Sequence, residues 1–265
     1  MSRPEHVPRL ILAAHYDSKS WPKGFVGTVD IAVSCAMMLH IATAIDESLS
    51  KTWNNTNETV LRQQQDFSAI QIIFFDGEEQ LKGGWNDYDG FYGSRELARK
   101  WQATNFPTGS KFPDAISSIR LFVLLDLLGA KSPTIPSYFQ STRTEYLALP
   151  SIEKRLARLG LPKSLAHPFL IDTKNGSGDD KTEQALLMQQ YNKNGRTPPP
   201  RSIQDDHIAF LERGVDILCL IPSLFPKVWH KMQDDAEHID SNVMADWTRM
   251  LTALWRSSLT HDCEA

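Results

Sequence analysis

Four short apolar runs dominate the chain: Leu10 to Ala14, Ile70 to Phe75, Ile119 to Leu125 and Val215 to Ile221. Three of them stop abruptly in polar residues, His15-Tyr16-Asp17, Asp76-Gly77-Glu78-Glu79 and Asp126, and the fourth is closed by Pro222. Continuous apolar runs of this length, without polar alternation, predict strands buried on both faces. Between them lie helical patterns. Ile31, Cys35, Met38, Leu39, Ala42 and Ile45 share a face after Asp30, and Leu97 and Trp101 follow Ser94. Strands alternating with helices define an α/β fold in three layers, a central and mostly parallel (mixed) sheet flanked by helices. A last helix is predicted after the cap Asp240-Ser241, with Met244, Trp247, Leu251, Leu254, Trp255 and Leu259 at helical spacing. Lys131 to Gln140 and Lys174 to Arg201 carry the prolines and glycines of loops.

Composition narrows what this fold can serve. The chain has 265 residues, 41% of them hydrophobic, enough for one large domain over 1–265 with a sizeable core. A net charge of −4 leaves no basic surplus for phosphates, which excludes nucleic acid and anionic membrane as expected partners. Asp126 interrupts the longest apolar stretch, so no membrane-spanning helix is predicted. The N-terminus does not read as a signal peptide, although three N-x-S/T sequons, at Asn54, Asn57 and Asn175, hint at a secretory origin. The three cysteines, Cys35, Cys219 and Cys263, lack the spacing of a thiolate site, so any metal must rest on histidine and carboxylates.

In an open α/β sheet the site lies beyond the carboxyl ends of the strands. His15, Asp17, Asp76, Glu78, Glu79 and Asp126 are therefore expected on one rim, joined by Asp30 at a loop-to-helix junction. Imidazole and carboxylate donors without thiolates suit a zinc ion that keeps an open position. Taken singly, each acid could equally cap a helix. Glu78-Glu79 is the sharpest pair, because neighbours just past a strand diverge and one carboxylate can bind metal while the other carries a proton. Trp85 stands among glycine and polar residues with little apolar sequence to pack on, which favours a pocket wall or lid. Trp229 beside His230 gives a second aromatic wall.

The motifs together resemble a known family. His-Tyr-Asp-Ser-Lys (15–19), Phe-Val-Gly-Thr-Val-Asp (25–30), Cys-Ala-Met-Met-Leu (35–39), Phe-Phe-Asp-Gly-Glu-Glu (74–79), Tyr-Gly-Ser-Arg (92–95), Leu-Leu-Asp-Leu-Leu-Gly-Ala (124–130), Gln-Asp-Asp-His-Ile (204–208) and Ile-Pro-Ser-Leu-Phe-Pro-Lys-Val-Trp-His (221–230) occur in order. The sequence is similar to the glutaminyl-peptide cyclotransferases, a branch of the zinc-dependent aminopeptidase (M28-type) superfamily. The resemblance implies one zinc ion per chain held by Asp30, Glu79 and His230, with Glu78 as general acid/base and Asp126 and Asp205 as acids near the reacting centre. It also implies a substrate pocket from Trp85, Gln204, Phe225 and Trp229. The implied reaction is attack of an N-terminal glutamine's α-amine on its own γ-carboxamide, releasing ammonia and leaving pyroglutamate. Peptides and proteins with N-terminal glutamine are then the partners, with a monomeric enzyme in the secretory pathway or outside the cell.

Two rivals stand beside this reading. His15, Asp30, Glu79, Asp126 and His230 also match the ligands of two-zinc aminopeptidases, with Glu78 activating water. The other rival is an inactive relative that only binds peptides. The sequence departs from the family at Cys219, where animal members carry a histidine, and at Ala14, the position of one half of a disulfide whose other half matches Cys35. Cys35 is therefore expected as a free buried thiol. The family resemblance implies a strained, even cis, peptide after Asp30, and an N-terminal segment that precedes the residues present here.

Overall fold

The computed structural model describes residues 5–55, 68–80, 89–131, 133–164 and 203–260. Strands β1 (Arg9–His15), β2 (Ala69–Phe75), β3 (Ile119–Leu125) and β4 (Ile217–Leu220) form a sheet in the order β2-β1-β3-β4, and every pairing is parallel. These are the four apolar runs: β3 matches its run, β1 and β2 extend theirs by one residue at one or both ends, and β4 is shorter by two residues at its start and one at its end. Alternate residues of each strand serve opposite faces, which is why the runs are almost wholly apolar, with Gln71, Arg120 and Asp216 as the polar exceptions. Leu10, Leu12, Ala14, Val123, Leu125, Leu218 and Leu220 enter one core, and Ile11, Ala13, Phe122, Leu124, Ile217 and Cys219 enter the other.

The first face is covered by α1 (Val33–Asn55), α3 (Arg143–Arg158) and α5 (Ser241–Thr260), and the second by α2 (Tyr92–Gln102) and the short α4 (Ile208–Leu211). On α1, Met37, Met38, Ile41 and Ile45 are buried against the sheet. The segment Thr28–Glu47 is long and apolar enough to cross a membrane by length and composition alone. Asp30, Asp46 and Glu47 interrupt it, and its apolar face is packed in the core. On α5, Asp240 Oδ1 accepts the N–H groups of Asn242 and Val243, both at 3.0 Å, as the predicted cap. Helix α3 was not anticipated, because Pro150 sits inside it and breaks the sequence signal. Tyr146 and Leu149 nevertheless bury its inner face, and Tyr146 donates to Ile135 O at 2.7 Å.

The chain crosses from β1 to β2 through α1 on one face and from β2 to β3 through α2 on the other. The carboxyl ends of β1 and β3 therefore bound the switch point where such sheets carry their sites. Of the sequons, Asn54 lies in the last turn of α1, while Asn57 and Asn175 fall outside the described residues, as do Cys263 and the predicted loop at 174–201.

Candidate active site

Three strand ends and two loops converge on a cleft of about 350 Å³ lined by His15, Asp30, Glu78, Glu79, Asp126, Gln204, Asp205, Phe225, Trp229 and His230, with Leu127, Ile203 and Ile221 beneath. His15 closes β1, and its Nε2 lies 3.5 Å from Asp126 Oδ1 at the end of β3. Asp17 turns back under the rim. Its two oxygens accept the N–H groups of Glu78 (3.1 Å) and Glu79 (3.0 Å), fixing the loop that follows β2. Asp76 departs from the sequence expectation: it is exposed and faces Tyr16, because the loop turns at Gly77 and brings in only the next two residues.

Asp30 arrives differently. Thr28–Ala32 forms a single π-helical turn entered through Gly27, which has a left-handed φ of 68°. A side chain at Gly27 would strike Ile31 at 2.4 Å, and one at Gly129 would meet Val33 at 2.8 Å and the Val29 backbone at 3.1 Å. These two glycines let the turn settle over the gap between β1 and β3. The bond after Asp30 is trans, contrary to the implied cis peptide; among the described residues the cis peptide is Trp21–Pro22. The π-turn itself gives the local change of direction. His230 and Leu127, by contrast, hold left-handed φ values of 56° and 59°, strain of the kind that gathers at functional sites.

The ligand atoms of Asp30, Glu79 and His230 lie within 4.8 Å of one another, and so do those of His15, Asp30 and Asp126, with Asp30 common to both groups. His230 Nε2 faces Glu79 Oε1 at 3.2 Å and Asp30 Oδ2 at 3.7 Å. Asp30 Oδ2, Glu79 Oε1 and Asp126 Oδ1 are buried without a formed hydrogen bond. Buried anionic oxygens left like this are costly. A divalent cation answers the cost, and the imidazole and carboxylate donor set fits zinc.

The electrostatics agree. Burial raises Asp30 well above the ordinary carboxylate range, and the Asp126 charge adds to it. Burial likewise raises Glu78, opposed by His15 and reinforced by Asp205, Asp206 and Asp126. For His15 burial alone would lower the pKa, but Asp126 and Asp17 raise it well above the usual value. Asp205 is buried and raised by desolvation and by Asp126, and its Oδ1 accepts the Asp206 N–H at 2.6 Å.

One wall is aromatic. The Phe225 and Trp229 rings meet edge to face at 4.6 Å, and Trp229 stacks on His230 at 4.0 Å. Gln204 is exposed at the mouth, and Trp85 lies outside the described residues. Cys219 is buried on β4 with its sulfur 3.5 Å from His207 Nδ1. Cys35 is free, as expected, but only half-buried, its thiol donating to His15 O at 3.2 Å. Sequence reasoning gave no role to Lys19, whose Nζ is 3.0 Å from His230 Nδ1, or to Asp234, which accepts the Val29 N–H at 2.6 Å. Asp234 stands in a charged stretch that reads as an ordinary surface loop, so only its burial marks it.

A three-layer α/β body with histidine and carboxylate donors gathered past its parallel strands is the architecture of the aminopeptidase-type fold. The model of Peptidase family M28 matches residues 2–255, and the chain belongs to that family. It is 40% identical over 247 residues to a glutaminyl-peptide cyclotransferase of Gloydius blomhoffii, covering 91% of this chain and 60% of that protein. The chain thus spans about three-fifths of the length of the curated relatives it matches. Among solved structures it is similar to a glutaminyl cyclase of Macrostomum lignano, with a TM-score of 0.70 at 29% identity, over 97% of this chain and 70% of that one. A Zn-dependent exopeptidase of Parabacteroides distasonis shares the fold, with a TM-score of 0.55 at 19% identity, covering 96% and 74%.

Proposed function

We propose that this chain is a zinc-dependent glutaminyl-peptide cyclotransferase, an acyltransferase converting N-terminal glutamine of peptides and proteins to pyroglutamate with release of ammonia. The observation that carries this reading is the buried Glu78 carboxyl in one cleft with the Asp30-Glu79-His230 cage and the Phe225-Trp229 wall. The likeness to proteins of that name supports it.

A zinc ion held by Asp30, Glu79 and His230 would supply Lewis acidity toward the γ-carboxamide oxygen. Glu78 takes the proton from the attacking α-amine as the new C–N bond forms, and returns it to the leaving nitrogen as ammonia departs. A carboxyl raised by burial suits both halves of that shuttle. Asp126 and Asp205 raise its pKa by their charge, which makes the Glu78 carboxylate a stronger base for the amine proton. Phe225 and Trp229 hold the glutamine side chain curled, which removes much of the entropy cost of cyclisation, while Gln204 stands at the mouth; a pocket role for Trp85 rests on the sequence and the family resemblance alone. The reading includes one zinc per chain, a monomer, and a secretory or extracellular setting.

The second group, His15-Asp30-Asp126, favours a second reading, a two-zinc aminopeptidase. Incubating purified protein with a Gln-initiated peptide separates them. Pyroglutamyl product with about one zinc per chain is the expected result, whereas free glutamine with about two zinc ions overturns the cyclase.

A further inference from the structure

The short loop from His230 to Asp234 touches the candidate cage twice. At its start, His230 directs Nε2 toward Glu79 and Asp30. At its end, Asp234 is only 1% exposed and reaches back under the π-turn. Its Oδ1 accepts the Val29 N–H at 2.6 Å, and its backbone carbonyl accepts the Thr28 N–H at 3.3 Å. The Asp30 N–H points to the same carboxylate.

These N–H groups open the π-turn, where no earlier helical carbonyl is available to take them, and Gly27 offers no side-chain cap. Asp234 thus supplies from a distant part of the chain the cap that the local sequence lacks. The turn's own carbonyl side is held separately, Leu127 donating to Asp30 O at 3.4 Å. The loop cannot shift His230 without also pulling on the turn, because Asp234 N donates to Lys231 O at 2.9 Å and Lys231 N to Val228 O at 2.9 Å, closing it into successive turns. Asp234 Oδ2 remains buried and unpartnered, so the carboxylate is kept for the acceptor work of one oxygen and not for solubility.

We infer that Asp234 is a positioning residue for metal binding, a clamp that fixes the backbone of Asp30 and ties it to the loop bearing His230, so that two ligands from opposite parts of the sequence are set together. This rests on the reading of Asp30 and His230 as zinc ligands. Partners one step behind a ligand commonly carry about 10–100-fold of metal affinity.

The test is the zinc dissociation constant of the intact chain, measured by competition with a chromophoric chelator, beside the melting temperature of the metal-free form. Asp234→Ala is expected to weaken zinc binding about 10–100-fold. Asp234→Asn, which keeps an oxygen acceptor for Val29 N–H, is expected to recover most of that loss. Should Asp234→Ala not fold, Asp234→Ser, whose acceptor falls short, carries the same expectation. Wild-type zinc affinity in the Ala or Ser variant, even with a lowered melting temperature, would make Asp234 merely structural and overturn the inference. So would an Asn variant as weak as Ala. If the unaltered chain binds no zinc, the ligand reading itself fails, an outcome distinct from an effect confined to the variants.

Discussion

The two ends of the central strand treat buried charge in opposite ways. At the amino end of β1, Arg9 is 7% exposed and fully occupied: Nε donates to Ser118 Oγ (2.9 Å), Nη1 to Gln71 Oε1 (2.7 Å) and Nη2 to Ala115 O, with the guanidinium 4.3 Å over the Trp101 ring. At the carboxyl end, His15, Asp30, Glu79 and Asp126 crowd together with three carboxylate oxygens lacking hydrogen bonds. A satisfied buried charge stabilises and specifies packing, whereas an unsatisfied cluster lowers stability until something binds it. Both ends are equally buried, so burial alone does not mark the functional one. Satisfaction does.

The sharpest way to break this contrast is Glu78→Gln. The amide keeps the shape of the carboxyl but cannot take a proton, so turnover is expected to fall about 100- to 10,000-fold while zinc content, read by metal analysis, stays as in the unaltered chain. Full activity with metal retained would remove Glu78 from the proton shuttle.

Next in size is the opposite end. Arg9→Met leaves Ser118 Oγ and Gln71 Oε1 without the guanidinium donor, the Ala115 carbonyl keeping Ser118 Oγ at 2.9 Å, and should cost about 2–4 kcal/mol in urea denaturation. Zinc affinity should not move. A matching loss of zinc binding would show that the two ends are not independent.

Acidity should then separate the metal-free and loaded forms. Asp30, Glu78 and Asp205 are raised by burial, and Asp206 is raised to about 7, against the pull of Ser94 and His15. A carboxyl raised in the folded state contributes stability that is present below its ordinary pKa and lost as pH rises through the folded value. Burial lowers His207 to about 4, which works the other way as pH falls below its ordinary 6.5. From pH 8 to about 6.5 these acids act together with His15, which burial lowers but Asp126 and Asp17 raise well above its usual value, and all favour the folded state on acidification, so metal-free protein should gain about 1–3 kcal/mol. Zinc-loaded protein should lose stability over the same range, because its ligands must stay deprotonated. Calorimetry with chelator and with zinc checks both signs, and a metal-free form that weakens on acidification would mean these acids have partners.

The smallest effect is expected at Cys219→His. The thiol contributes only a weak contact to His207, so turnover should hold within about threefold of the unaltered value; a large loss in steady-state rate would give the thiol a role of its own.

How far the sequence reaches can be followed along single residues. The four strands were legible as apolar runs, but only β1, β3 and β4 are largely buried on both faces; β2, at the sheet edge, is half-buried with Phe74 exposed. His15, Glu78, Glu79 and Asp126 were legible because they stop the runs, and parallel strands carry their ends to one side. Helix α3 was hidden by Pro150, and Asp76 looked the equal of Glu78 until the turn at Gly77 sent it to solvent. Asp30 was legible only as an acid at a loop-to-helix junction and His230 only as a histidine beside Trp229, and their ligand roles came from the family resemblance; the π-turn and the left-handed His230 that aim them have no periodic signature. Asp234 was invisible, since its role depends on Val29, a residue far away in the chain.

The sequence by itself thus determined the sheet, its layers and the inventory of donors, because those follow from local apolar patterning and residue chemistry. The tertiary structure decided which donors lie together and which distant residue holds their backbone, because distances between loops are set by packing and by hydrogen bonds across the chain.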